Sequence, residues 1–195
     1  MHASGVVLGY LPFRSTLANK TTKIVEQSEC DEMSATKSTA PMQWQLKRFC
    51  ELSVDELYEI MKLRMNVFII EQACIYPDLD EKDRNPETLH LFATDGSEIR
   101  AYLRLLSPQF KGPSMTSFGR VCTLAAARGN GLGHELIQRA VQALERLWPN
   151  LVCHISAQAH LQNFYKHYGF EAVGETYLED GIPHVGMERL GRILT

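Results

Sequence analysis

The arginine, the three glycines and their spacing in Arg128-Gly129-Asn130-Gly131-Leu132-Gly133 carry the clearest chemical content in this chain. Glycines let backbone N–H groups come close to phosphate oxygens. Apolar residues at helical spacing begin immediately after them, so the turn opens a helix whose N-terminus adds about half a positive charge. Arg128 supplies a full one. Phosphate binding is the chemistry this arrangement suits. Two commoner glycine motifs do not fit. The Rossmann pattern needs glycine three residues after Gly131, where His134 stands, and a P-loop needs Gly-Lys-Ser/Thr. Taken alone, the turn also fits a plain strand-to-helix connection.

The other reactive side chains are dispersed. Cys30, Cys50, Cys74, Cys122 and Cys153 are odd in number, with no CxxC pair and no Cys/His cluster at metal-ligand spacing. They read as free thiols in a reducing cytosol, and no metal is required. Cys122 and Cys153 lie inside apolar runs and suit small buried hydrophobes better than nucleophiles. Cys74 follows Glu71-Gln72 in an expected loop and lacks a sequence-adjacent base.

The elements that position these residues can be read from periodicity. Residues 1–41 are rich in Ser, Thr, Ala and Lys and show neither period 2 nor period 3.6, so they are expected to be a disordered extension. Patterned sequence starts at Met42, the expected initiator, and 42–195 is read as one domain. Trp44 and Leu46 alternate as in a strand. Ser53 followed by Glu56 makes a capping box ahead of Leu57, Ile60, Met61, Arg64, Val67 and Phe68. The acidic stretch from Glu71 to Glu87, with Pro77 and Pro86, reads as loop with room for a short helical turn. Leu89 to Ala93 and Ile99 to Leu106 are strands joined across Asp95-Gly96, and Phe118 to Leu124 is a third. Leu132, Leu136, Ile137, Ala140, Leu144 and Leu147 fall at helical spacing until Pro149. Leu151 to Ala157 is a strand, Leu161 to Tyr168 a helix, and two further strands flank Asp180-Gly181. The resulting class is mixed α/β.

A net charge of -3 offers no basic field for a nucleic-acid backbone. No apolar run approaches the roughly 20 residues that span a bilayer. The expectation is a protein that binds neither nucleic acid nor membrane and works in the cytoplasm.

At this point a family resemblance can be stated. Strand, Arg128-x-x-Gly131-x-Gly133 and helix, followed by Tyr165-Lys166-His167-Tyr168-Gly169-Phe170, resembles the GCN5-related N-acetyltransferase (GNAT) family. That family's motif is strand, Arg/Gln-x-x-Gly-x-Gly/Ala, helix, with a later Tyr-x-x-x-Gly-Phe. Leu63-Arg64, Val67-Phe68, Glu71-Gln72, the Tyr76 to Asp80 stretch, His90, Ala157-Gln158 and Glu179 to His184 look like its ElaA subfamily. The resemblance covers about residues 42 to 190. Ala125 departs from the family, which often has proline after the central strand, and Gln158 stands where asparagine is common.

The resemblance implies the GNAT acyl-CoA N-acyltransferase fold and a defined chemistry. It implies acetyl-CoA as co-substrate, with the acetyl group passing directly to a primary amine of a small molecule or protein. A catalytically silent acyl-CoA-binding regulatory module is the rival reading, and a homodimer is left open. Coenzyme A would lie on Val121, Cys122, Thr123, Arg128, Gly129, Asn130, Gly131, Leu132, Gly133, His134 and Gln158. In similar enzymes the exposed backbone of the central strand pairs with pantetheine, and the Cys122 N–H would polarise the thioester carbonyl. Tyr165 resembles the tyrosine that protonates the departing thiolate, although packing beside Leu161, Phe164 and Tyr168 explains it equally simply. Glu71, His154 and His184 are candidates for the base. The acidic run Asp78, Asp80, Glu81 and Asp83 could attract a cationic amine, with a solvated loop face as the default.

Overall fold

The alternation of Trp44 and Leu46 with polar neighbours builds β1 (Gln43–Arg48), in a computed structural model that describes residues 41–191 other than Ser97. Apart from Pro41, the expected extension over 1–41 lies outside the described residues. β1 pairs antiparallel along its length with β2 (Leu89–Thr94). Between them stands α1 (Val54–Arg64), started as expected by Ser53 and Glu56. The Ser53 hydroxyl accepts from the Glu56 N–H at 3.1 Å, and Glu56 accepts from the Ser53 N–H at 2.9 Å. α1 continues without a break as a π-helix over Met65–Glu71. Such segments are frequent at functional sites.

β2 turns through Gly96, at φ 95, into β3 (Ile99–Leu106), which pairs antiparallel with β4 (Met115–Thr123). β4 starts earlier than its apolar run suggested, because Met115 and Thr116 are needed to pair with β5 (Val152–Gln158). Ala125–Ala127 then forms a 3-10 turn, with Ala127 N–H on the Leu124 carbonyl at 2.9 Å, so the strand's exit is ordered without the family's proline. α2 (Leu132–Leu147) leads to β5. A 3-10 turn at Ala159–Leu161 and the short α3 (Gln162–Lys166) precede β6 (Glu171–Glu179) and β7 (Ile182–Arg189).

The seven strands form one sheet in the order β1-β2-β3-β4-β5-β7-β6. α2 buries Leu136, Ile137, Ala140 and Leu144 against Leu91, Leu103, Leu105, Ile155 and Met187 on one face. On the other face α1 buries Ile60 and Leu63, joined by Val67, against Phe92, Tyr102 and Cys122. At roughly 1.5–3 kcal/mol for each large apolar side chain fully buried, these two layers hold both helices to the sheet.

One irregularity in this sheet creates the site. β4 and β5 run parallel, but their register consists of Met115 with Val152 and Thr116 with Cys153, after which they part. On its other side β4 carries a bulge, with Arg120 and Val121 both opposite Leu103 and Arg120 at φ 57. Bulges bend the strand that bears them, and this one lies where β4 leaves β5. The result is a V-shaped gap in the sheet.

Candidate active site

A cleft of about 280 Å³ occupies this gap, lined by Gly119, Arg120 and Val121 from β4, Ile155, Ser156 and Gln158 from β5, Tyr165 from α3, and Glu179, Asp180 and His184 from the β6–β7 hairpin. Ladder geometry fixes which β4 groups face it. Leu124 N–H donates to the Arg100 carbonyl at 2.8 Å and Cys122 is paired with Tyr102, so the Cys122 N–H and C=O point toward β3. With trans peptides throughout, the Val121 carbonyl and the N–H and carbonyl of Thr123 point the other way. The expected Cys122 N–H donor is therefore turned away from the gap. Its thiol is also buried, which pushes it well up and leaves it un-ionised. Thr123 carries the edge that faces away from β3.

The Arg128 to Gly133 turn lies beyond that edge. Gly131, at φ 78, is the N-cap of α2 and makes no side-chain cap. The first backbone bond of the helix is Glu135 N–H to the Gly131 carbonyl at 3.0 Å, leaving the N–H groups of Leu132, Gly133 and His134 without intrahelical partners. A Cβ built on Gly129, Gly131 or Gly133 meets nothing within 4 Å, so bare backbone faces outward here. This is the surface a diphosphate needs. The His134 side chain turns away from it toward α3. The Tyr168 hydroxyl accepts from His134 Nδ1 at 2.7 Å and donates to the His134 carbonyl at 2.9 Å, and the imidazole lies 4.9 Å from the Phe164 ring.

Arg128 is not free. It donates to the Thr123 carbonyl at 2.9 Å and forms a two-pronged ion pair with Glu71 at 2.7 and 2.8 Å. This changes the reading of Glu71. The hydrogen bond from Arg128 holds its carboxyl below the usual range, so it is a poor proton acceptor, and it sits beside the glycine turn. Glu71 is structural here.

Of the other base candidates, His154 pairs with Glu188 at 3.1 Å outside the cleft lining. His184 lines the cleft. Its Nδ1 donates to the Ile182 carbonyl at 2.8 Å, leaving Nε2 as the acceptor of a neutral imidazole, and its ring stacks on Tyr177 at 6.3 Å. Tyr165 meets the same cleft from the core side, where burial alone raises its phenol. Gln158 donates to Gln72 at 3.3 Å, and the Cys74 thiol lies 3.9 Å from the Asp180 carbonyl. Both contacts cross between the arms of the V. Burial and Asp180 raise the Cys74 thiol, so it is no ready nucleophile.

The acidic loop is neither a solvated face nor a free amine trap. Arg64, itself buried, binds Asp78 and Asp83 at 2.8 Å each. Arg104 binds Asp83 at 2.7 Å and both carboxylate oxygens of Asp80, and Arg120 binds Asp78 at 2.8 Å. Three arginines cancel three aspartates. Burial opposes the charge on Asp83, and Arg64 and Arg104 outweigh it, so its carboxyl lies below the usual range. Only Glu81 of the run is left pointing outward.

This geometry agrees with the comparisons. Residues 62–190 match the family model described as an acetyltransferase (GNAT) domain. The chain belongs to the GNAT acetyltransferase family. Protein ElaA of Escherichia coli is 39% identical over 148 residues, covering 76% of this chain and 96% of that one. A UPF0039 protein of Synechocystis is 41% identical over 145 residues, covering 74% of this chain and 92% of its own. Among solved structures, an acyl-CoA N-acyltransferase from Pseudomonas aeruginosa superposes with a TM-score of 0.73 at 48% identity, covering 76% of this chain and 99% of that one. The ElaA-like resemblance and the mixed α/β acyl-CoA N-acyltransferase fold are as expected, and the GNAT scaffold here is that of an acyltransferase.

Several residues around the cleft were not singled out from sequence. Tyr177 donates to Ser156, which donates to Glu179 at 2.6 Å, a relay along the cleft wall beside His184. Arg120 shapes the bulge, and its guanidinium lies 5.0 Å from the Tyr76 ring. The only sequence signal was the strand alternation that puts Ser156, Tyr177 and His184 on one face.

Proposed function

We propose that the chain transfers an acetyl group from acetyl-CoA to a primary amine of a small molecule or protein by direct attack on the thioester. The observation that supports this best is the continuity of three features. The cleft holding Tyr165 and His184 opens onto the β4 edge at Val121 and Thr123 that faces away from β3. Arg128 ties that edge to the bare α2 N-terminus. In this reading the N–H groups of Leu132, Gly133 and His134, with Arg128, hold the diphosphate of coenzyme A, and the Thr123 edge aligns pantetheine as an added strand.

Each proton then has a place to go. His184 Nε2 takes the proton that an alkylammonium must lose. The amine nitrogen attacks the carbonyl carbon, whose oxygen gathers charge toward the Thr123 N–H on the outward edge of β4. The C–S bond breaks, Tyr165 gives its proton to the thiolate, and the second proton that the nitrogen sheds in becoming an amide restores the phenol. The burial that keeps the phenol protonated also disfavours a bare thiolate beside it, so the two effects act together. Direct transfer needs no covalent enzyme intermediate, consistent with the un-ionised thiols at Cys74 and Cys122. Cys50, Cys74, Cys122 and Cys153 are all unpaired, which suits a reducing cytoplasm.

The test is kinetic. Tyr165→Phe is expected to lower kcat by at least about tenfold with acetyl-CoA affinity nearly intact, read by thiol release and calorimetry. An unchanged kcat would remove Tyr165 from the mechanism. Acetyl-CoA binding without CoA release across an amine panel would favour the silent binding module instead.

A further inference from the structure

The charged groups around the cleft are sorted by position. Once Arg64, Arg104 and Arg120 are matched with Asp78, Asp80 and Asp83, two lysines and two carboxylates remain in the lining. Lys82 lies within the aspartate loop, between Asp80 and Asp83, Lys111 follows the 3-10 turn after β3, and no salt bridge ties either ammonium among the described residues. The Lys82 backbone N–H donates to Asp80 at 3.0 Å, while its ammonium acts on that carboxylate through its field. Glu179 and Asp180 belong to the other arm of the sheet, at the β6–β7 turn beyond β5 and near His184. Behind the lysine end stands Arg104, 3% exposed, whose Nε is one of two buried side-chain polar atoms left without a partner among the described residues. Unpaired buried donors are uncommon in folded proteins and call for an explanation.

A cleft with one cationic end and one anionic end is matched by a molecule carrying both charges. An ammonium entering on the Glu179 and Asp180 side would be drawn toward His184 Nε2, the group assigned to deprotonate it. An anion on the same molecule would meet Lys82 and Lys111 in front of Arg104. At about 280 Å³ the space is at the small end of ligand sites, which suits a compact acceptor. A diamine would put a second cation against the lysines, and an uncharged amine would leave them unused.

We infer that the acceptor is a free amino acid, with its amine at the Glu179–Asp180–His184 wall and its carboxylate at Lys82 and Lys111. This rests on the acetyl-transfer reading above. The reaction is unchanged: a C–N bond forms, the C–S bond breaks, one ammonium proton leaves through His184, the thiolate takes one from Tyr165, and the nitrogen's second proton restores the phenol.

The experiment compares each amino acid with its decarboxylated amine: L-alanine with ethylamine, L-phenylalanine with 2-phenylethylamine, L-lysine with cadaverine. Thiol release with acetyl-CoA gives kcat/KM, and calorimetry on protein saturated with CoA gives binding without turnover. The expected result is at least one pair in which the amino acid is favoured tenfold or more, with Lys82→Glu/Lys111→Glu removing that preference. If the decarboxylated amines are equal or better in every pair, the assignment is overturned while acetyl transfer stands. Preferential binding of an amino acid without any turnover would support the dipolar site and remove the acetyl-transfer reading. Absence of both binding and turnover for all three amino acids overturns the assignment.

Discussion

The two long helices lie on opposite faces of one sheet and begin in opposite ways. At α1, Ser53 and Glu56 satisfy each other's backbone N–H groups, and Lys47 closes the carboxylate with an ion pair of 2.7 Å. At α2, Gly131 offers no side chain, and the N–H groups of the first turn face outward over three glycines. Both ends carry the same partial charge from the helix dipole. The protein neutralises one internally and leaves the other for an external anion. An uncapped helix start has a cost in stability, and the proposed function gives the open α2 end an external anion to offset it.

The contrast can be broken by giving the open end a carboxylate of its own. Gly131→Asp places an acidic side chain over the first turn, at a residue type that tolerates a positive φ. Acetyl-CoA affinity is expected to fall by about 100-fold or more, roughly 2.7 kcal/mol, with little change in Tm. Calorimetry and thermal melting on the same sample check both, and retained affinity would mean that the diphosphate does not sit there. The closed end should respond in reverse. Ser53→Ala removes the α1 cap and is expected to cost about 1 kcal/mol of stability, read as a lower midpoint in urea, with no change in acetyl-CoA affinity.

A smaller effect is expected at the ion pair that guards the open end. Glu71 and Arg128 are each about 40% exposed, so the pair is worth only about 0.2–1 kcal/mol. Glu71→Gln releases the guanidinium toward the incoming anion and should tighten acetyl-CoA by up to about fivefold, more so at low salt. Weaker binding would show instead that Glu71 is needed to aim Arg128. The smallest effect concerns pH. Burial raises the Glu56 carboxyl, but Lys47 and Ser53 outweigh it and hold it below its ordinary value. Its contribution is therefore present above the unfolded pKa of about 4.3 and is lost as pH falls through the lower folded value. Glu56→Gln should be less stable than the parent at pH 7, and the gap should close below about pH 4.

How much of this was legible in the residues follows from distance along the chain. The Ser53 and Glu56 box, the Gly131 turn and the Asp95-Gly96 hairpin are set by neighbours a few positions apart, so local chemistry revealed them. The order of strands and the Tyr165 element were equally readable, with the family resemblance fixing the fold around them. The partners that decide chemistry were not. Glu71 meets Arg128 across 57 positions, Arg64 meets Asp83 across 19, and Ser156 meets Glu179 across 23. Such pairs exist only once helix packing and strand register are formed. The same holds for the Arg120 bulge, since a non-glycine residue at φ 57 has no local signature. That is why Glu71 stood among the candidate bases and the aspartates read as a solvated face or an amine trap, when each already holds an arginine. His184 kept its place because its turn and its register with Gln158 bring it back to the gap.

The most direct test of the account mixes the protein with acetyl-CoA and pooled primary amines and follows both products, free CoA by thiol reagent and the new amide by mass. The account expects stoichiometric CoA and N-acetylated amine from at least one pool, both lost in Gly131→Asp at acetyl-CoA concentrations near its parent Kd. Tight acetyl-CoA binding with no CoA released from any pool would contradict it.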